Sequence, residues 1–293
     1  MKTKAYKKDG KSMKPGSLRY IWAQLRKSPG AMFGLCFILA LFVLSFLSPF
    51  ICPHAYDELV MKERFALPSL SHWLGCDEVG RDILSRILYG AKFTLSIGIL
   101  STAFSAVFGI ILGAVSGYFG GKIDTLIMRI LDIFQAFPNI LLAIAISTVL
   151  GKGFDKVIYA IGISGIPAFA RMMRANILTV RNSEFIEAAS SINCTTFRII
   201  SKHVIPNAIS PLIVQIAMGI ASSALAASGL SFLGFGVQAP TPEWGAMLAS
   251  ARGYMRDYPH MVIIPGLFIM LTVLSFNLVG DKIRDVLDPK LRD

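Results

Sequence analysis

The chain has 293 residues, of which 54% are hydrophobic and only 16% charged, with a mean hydropathy of +0.61. Soluble domains carry about 25% charged residues, so this composition excludes a water-soluble globular class and a disordered one. Lys and Arg number 29 against 18 Asp and Glu, and whether that surplus is a nucleic-acid patch or a topology signal depends on where it sits.

Residues 1–30 form a basic polar tail. Ala31–Ile51 follows, 21 residues without a charge, which as a helix reaches roughly 32 Å and so crosses a hydrocarbon core of about 30 Å. A signal-peptide core runs only about 7–15 residues before a small-residue cleavage site, so this stretch reads as an uncleaved anchor. Next, Leu74–Gly90 (LGCDEVGRDILSRILYG) sets Ile83, Leu84, Ile87 and Leu88 on one helical face and Arg81, Asp82, Ser85 and Arg86 on the other. That pattern predicts a short interfacial helix leading into the second span.

Five more apolar stretches predict spans: Phe93–Tyr118, Ile123–Leu150, Val157–Ala175, Ala208–Leu230 and Met261–Gly280. Lys156 and Arg171 crowd the fourth, so its ends snorkel or its helix continues past Arg171. Pro138, Pro167 and Pro265 predict bends in the third, fourth and sixth. Arg129 and Asp132 are three apart, where they can pair as a structural element of the third span. Gly109, Gly113 and Gly117 share one face of the second, a surface for tight helix packing or for a subunit seam, with packing inside one subunit favoured. Charged groups are otherwise nearly absent from the spans, which argues against a transporter driven by its own coupling ion.

With six spans both termini share a side. That side carries a net charge of +11 and the other side zero, so both termini are expected in the cytoplasm. The tail sets orientation and touches anionic lipid, and nucleic acid is not an expected partner. The long loop 176–207 then faces the cytosol. In it Ser183 is placed to cap a helix beginning at Glu184, with Phe185, Ala189 and Ile192 as its apolar face. Asn193 tolerates a left-handed turn. A second short helix with Phe197, Ile199 and Ile200 should end before Pro206. Two short helices at an angle make a knob without catalytic groups, which suits docking.

Four motifs carry a family resemblance. Glu187-Ala188-Ala189 followed by Ile205-Pro206-Asn207 resembles the EAA signature of ATP-binding-cassette importer permeases. Leu74–Asp82 (LGCDEVGRD) is similar to the segment opening the second span in the dipeptide/oligopeptide/nickel branch. Ser231–Leu248 and Phe276–Asp293 are similar to that branch's second, C-type permease subunit. The motifs occur in the family's order and the match covers roughly residue 31 to 293. The resemblance implies an all-α integral membrane protein of the type I importer permease fold, with six transmembrane helices and a cytoplasmic coupling-helix loop. It implies a homologous second permease, two cytoplasmic ATPases that bind ATP and Mg, and an extracytoplasmic binding protein that delivers substrate. Glu184, Glu187, Ala188, Ala189, Asn193 and Pro206 would form the ATPase-coupling element, the small alanines allowing close seating. Asn193 stands where the pattern usually has Gly, and Cys76 where it usually has Thr. Residues 31–90 then form the first span with its outer loop, 91–283 a five-helix permease core, and 284–293 a cytoplasmic tail.

No nucleotide chemistry is expected in this chain: GxxxxGK[ST] does not occur, so ATP belongs to the partners. Cys52, His54, His72, Cys76 and His260 all fall on the outer side, but their spacings match no compact metal site, and none is assigned. Cys52 and Cys76 share an oxidising compartment, and a disulfide between them stays open. With no GxSxG or HExxH motif, an enzyme is the weakest class. A di- or oligopeptide importer is the leading reading. The alternatives are a nickel or nickel-chelate permease and, outside the family, a stand-alone transporter or channel.

Overall fold

The computed structural model describes residues 18–287 and a short antiparallel pairing of Lys7–Lys8 with Lys11–Ser12. Most of the basic tail and the last part of the Phe276–Asp293 motif therefore lie outside the described residues. The amphipathic helix α1 (Leu18–Leu25) precedes α2 (Pro29–Ile51), whose start is capped by Ser28 and which carries the first predicted span. A loop with one 3-10 turn (Met61–Glu63) leads to α3 (Ile83–Phe119). At 37 residues α3 is roughly 55 Å long, more than a bilayer needs.

The helix predicted at Leu74–Gly90 is corrected in two ways. Residues 74–82 are not helical: they turn through Gly75 and Gly80 and bridge Cys76 to Asp82. From Ile83 the chain is already α3, with Asp82 accepting from the Ser85 amide at 2.7 Å. Nor is the segment interfacial. Its apolar face, Ile83 and Ile87, is buried, and so are Arg81, Asp82, Ser85 and Arg86. A charged face goes inside because its charges are met there. Arg81 pairs with Asp77 at 2.6 Å and Glu78 at 3.2 Å, and Arg86 donates to the Tyr56 carbonyl at 3.0 Å.

The third predicted span is broken. Helix α4 (Gly121–Gln135) and helix α5 (Asn139–Leu150) meet at 91° across Pro138, because proline removes a backbone donor and its predecessor avoids helical geometry. Helix α6 (Phe154–Val180) continues past Arg171, one of the two expected outcomes, and runs unbroken through Pro167. The chain then passes α7 (Glu184–Ser191), α8 (Thr196–Ile199), a π-helical turn (Ile200–Val204) and α9 (Ile205–Ala208) into α10 (Ser210–Phe232). Helix α11 (Trp244–Ala251) and α12 (His260–Leu287) complete it, α12 unbroken through Pro265. Among the described residues four helices, α2, α3, α10 and α12, are long and apolar enough to cross a membrane, and the bent α4–α5 pair makes a fifth candidate. Helix α6 is long enough, at roughly 40 Å, but carries Asp155, Lys156, Arg171 and Arg174.

Three apolar clusters hold the bundle. In the first, Leu41, Ile83, Ile87, Leu95, Met261 and Phe276 share a cluster with Trp244, whose indole N–H donates to the Ile87 carbonyl at 3.0 Å. Beside it Glu243 caps α11, accepting from the Gly245 and Ala246 amides at 2.9 Å each, and burial pushes its carboxyl up. The motif around Ser231–Leu248 thus plugs the space between α3, α10 and α12. A second cluster joins Ile97 to Val157, Ile161 and Leu230, and the third lies under the α7–α9 knob.

Candidate functional site

The knob is built on one inward stripe. Ile186 and Ala189 of α7 are buried, and they join Ile199, Val204, Met173 and Ile177 of α6, and Leu212 of α10 in one cluster. The predicted apolar face is therefore rotated. Phe185 and Ile192 point outward, 45% and 76% exposed, while Ile186 and Ala189, three residues apart on one side of the helix, make the inward stripe. Of the signature residues, Ala189 seats α7 on its own subunit. Glu184, Glu187 and Ala188 face away from it. The outward face thus presents two carboxylates, a small residue and flanking apolar tips, with Phe197 of α8 81% exposed beside them.

Ser183 sits where a capping residue was expected, but its hydroxyl donates back to the Val180 carbonyl at 2.6 Å. Its own carbonyl accepts from the Ile186 and Glu187 amides. At the other end Asn193 has φ +59. The Cys194 amide reaches back to the Ala189 carbonyl at 3.2 Å, which closes α7 in a Schellman arrangement with Asn193 as its left-handed residue. Asn193→Gly is therefore expected to keep the knob, and Asn193→Val to cost about 1–2 kcal/mol. Amide exchange across residues 184–194 checks this: equal protection in the two variants would refute it. The second helix does not end before Pro206. Pro206 falls in the first turn of α9, directly after the π-helical turn, and the chain stays helical to Ala208.

Two ion pairs fix the neighbouring end of the bundle. Arg174 of α6 grips Asp124 of α4 through two bonds of 2.6 Å, and Ser116 of α3 donates to the same carboxylate. Asp132 pairs with Arg171 at 2.6 Å rather than with Arg129 of its own helix. Once the chain breaks at Pro138, α4 lies against α6, so the partner comes from another helix. Sequence spacing cannot show such pairs. Gly109, Gly113 and Gly117 face α6 of the same chain. A methyl on Gly113 would come within 2.3 Å of the Ala170 carbonyl oxygen, and one on Gly109 within 2.4 Å of Phe169 Cβ. The four cysteines are free thiols, Cys52 and Cys76 included.

The arrangement can transmit movement. A push on the outward face of α7 reaches α6 and α10 through one packed cluster, and packed cores shift as units rather than deforming smoothly.

Comparison with known proteins places the chain among transport permeases. Residues 109–293 match the family described as binding-protein-dependent transport system inner membrane component. Residues 17–68 match the N-terminal TM domain of oligopeptide transport permease C. A dipeptide transport system permease protein, DppC, of Alkalihalophilus pseudofirmus is 42% identical over 94% of this chain and 90% of its own length. A glutathione transport system permease protein, GsiD, of Pectobacterium atrosepticum is 42% identical over 94% and 91%. Among solved structures, the MetNI methionine ABC transporter in an inward-facing conformation aligns with a TM-score of 0.56 at 20% identity. That alignment covers 69% of this chain and 96% of that one.

Proposed function

The chain belongs to the family of binding-protein-dependent transport system inner membrane components, and on that premise we propose that it is the C-type permease of an ATP-driven importer of short peptides. A homologous second permease would share the translocation path. Two cytoplasmic ATPases would bind and hydrolyse ATP, and an extracytoplasmic binding protein would deliver the peptide. Both termini would lie in the cytoplasm, in keeping with the side that carries the net charge of +11. The observation that carries the coupling role is the two-sided α7. Glu184, Glu187 and Ala188 are outward, while Ile186 and Ala189 are locked to α6 and α10. The peptide reading rests on relatives named for a dipeptide and for glutathione, itself a tripeptide.

Reconstitution tests it. Proteoliposomes holding both permeases and both ATPases, given the binding protein, should accumulate dipeptide on addition of ATP to the ATPase side. The chain alone should neither hydrolyse ATP nor move peptide. Ion-gradient-driven transport by the chain alone would favour the stand-alone class instead, and nickel uptake without peptide uptake would reassign the substrate.

A further inference from the structure

The outer loop between α2 and α3 brings together residues that the sequence leaves far apart. Glu63 ends the 3-10 turn, His72 lies nine residues on, and Cys76 stands in the turn before α3. A carboxylate oxygen of Glu63, a ring nitrogen of His72 and Cys76 Sγ all lie within 4.8 Å of one another. His72 Nε2 is 2.9 Å from Glu63 Oε2. Cys76 is fully buried and His72 nearly so, whereas the Glu63 side chain is 44% exposed. The donors therefore converge in a pocket with one wet side.

The far side of the histidine is also fixed. His72 Nδ1 is 3.0 Å from Asp82 Oδ1, and the other oxygen of Asp82 accepts from the Ser85 amide and hydroxyl at 2.7 Å each. Asp82 on Nδ1 fixes the ring so that Nε2 points into the pocket, where it can exchange its Glu63 hydrogen bond for a metal ion. The backbone holds Cys76 in place, its amide donating to the Ala66 carbonyl at 2.9 Å and its bridge to Asp82 closing the turn. Gly80 permits that turn, with φ +81 and no room for a side chain: a methyl there would come within 1.9 Å of the Val60 carbonyl oxygen.

We propose that Glu63, His72 and Cys76 form a binding site for a divalent transition-metal ion of the zinc type, with Asp82 as the positioning residue behind His72. One thiolate, one imidazole and one carboxylate make a borderline-soft donor set that suits such an ion better than Mg2+ or Ca2+. Donors around a tetrahedral zinc sit roughly 3.3–3.6 Å apart, so the present spread closes with movements of about 1 Å. Three protein ligands leave the fourth position to water on the open side at Glu63. Binding replaces the Glu63–His72 hydrogen bond with two metal bonds and releases two protons to solvent, the one held between His72 Nε2 and Glu63 and that of the Cys76 thiol. The ion ties the Met61–Glu63 turn to the segment that starts α3. Neither the coupling loop nor the peptide reading enters this inference.

The test uses the full chain, purified in detergent micelles, kept reduced with a phosphine, stripped with chelator and titrated with Co2+. Expected is a thiolate-to-cobalt charge-transfer band that saturates at one ion per chain and disappears when Zn2+ is added. Cys76→Thr, which keeps the size of the side chain, should lose the band while the protein stays monodisperse. Cys52→Ser should retain it. Asp82→Asn should weaken Co2+ binding about 10–100-fold, the usual effect of removing an outer partner. No band in the wild type, a band that survives Cys76→Thr, or one that vanishes with Cys52→Ser overturns the site.

Discussion

Glu187→Lys is expected to leave the chain inserted in the membrane and to abolish uptake. Glu187 is exposed on the face of α7 that turns away from its own subunit, so the substitution disturbs none of the buried cluster. What it changes is the charge offered to a docking partner. Losing one member of a close charge pair at an interface costs about 2–5 kcal/mol, and reversal adds repulsion. The low end already weakens association about 30-fold. The measurement is twofold: recovery of the ATPases with the affinity-tagged permease, and peptide uptake in the same cells. Wild-type uptake would refute the coupling role. Normal ATPase recovery with lost uptake would place Glu187 in transmission rather than docking. Ala189 provides the contrast. It is buried in the cluster that α7 shares with α6 and α10, so Ala189→Lys should reduce the amount of folded chain itself.

The division between those neighbouring residues marks what the sequence made legible. Long apolar runs found α2, α3, α10 and α12, since crossing a bilayer demands length and hydropathy together and both are local properties. The left-handed turn at Asn193 was legible for the same reason: few residues accept it. Which side of α7 faces inward was not. Phe185 and Ile192 are as apolar as Ile186, and only the arrival of Val204 and Leu212 from later in the chain decides the matter. Arg171 and Asp132 likewise find each other only after Pro138 has broken the third span and laid α4 against α6. The polar face of Arg81, Asp82 and Arg86 read as a water-facing surface. Burial reverses that reading because Asp77, Glu78 and the Tyr56 carbonyl meet it from segments outside the helix. Glu63, His72 and Cys76 are the same case, since no spacing rule anticipates three donors gathered by a folded loop.

Gly113→Leu is expected to prevent accumulation of folded protein. The first added carbon would lie 2.3 Å from the Ala170 carbonyl oxygen and 2.8 Å from Met173 Cβ. The obstacle is the backbone of α6 rather than the end of a flexible side chain, so α3 and α6 must separate. That separation would reach far, because α6 also carries Met173 and Ile177 into the cluster beneath the knob. Overpacking costs about 1–3 kcal/mol where neighbours can adjust and more where they cannot. Gly113→Ala should therefore lower stability measurably and Gly113→Leu more severely. Gly266 of α12 supplies the control, since a methyl there meets nothing within 4 Å. Gly266→Ala gains helix propensity without a clash and should stabilise by up to about 1 kcal/mol. Thermal unfolding of the detergent-purified variants reads both. If Gly113→Ala and Gly266→Ala shift the midpoint in the same direction, the close approach of α3 to α6 is not what holds this end of the bundle.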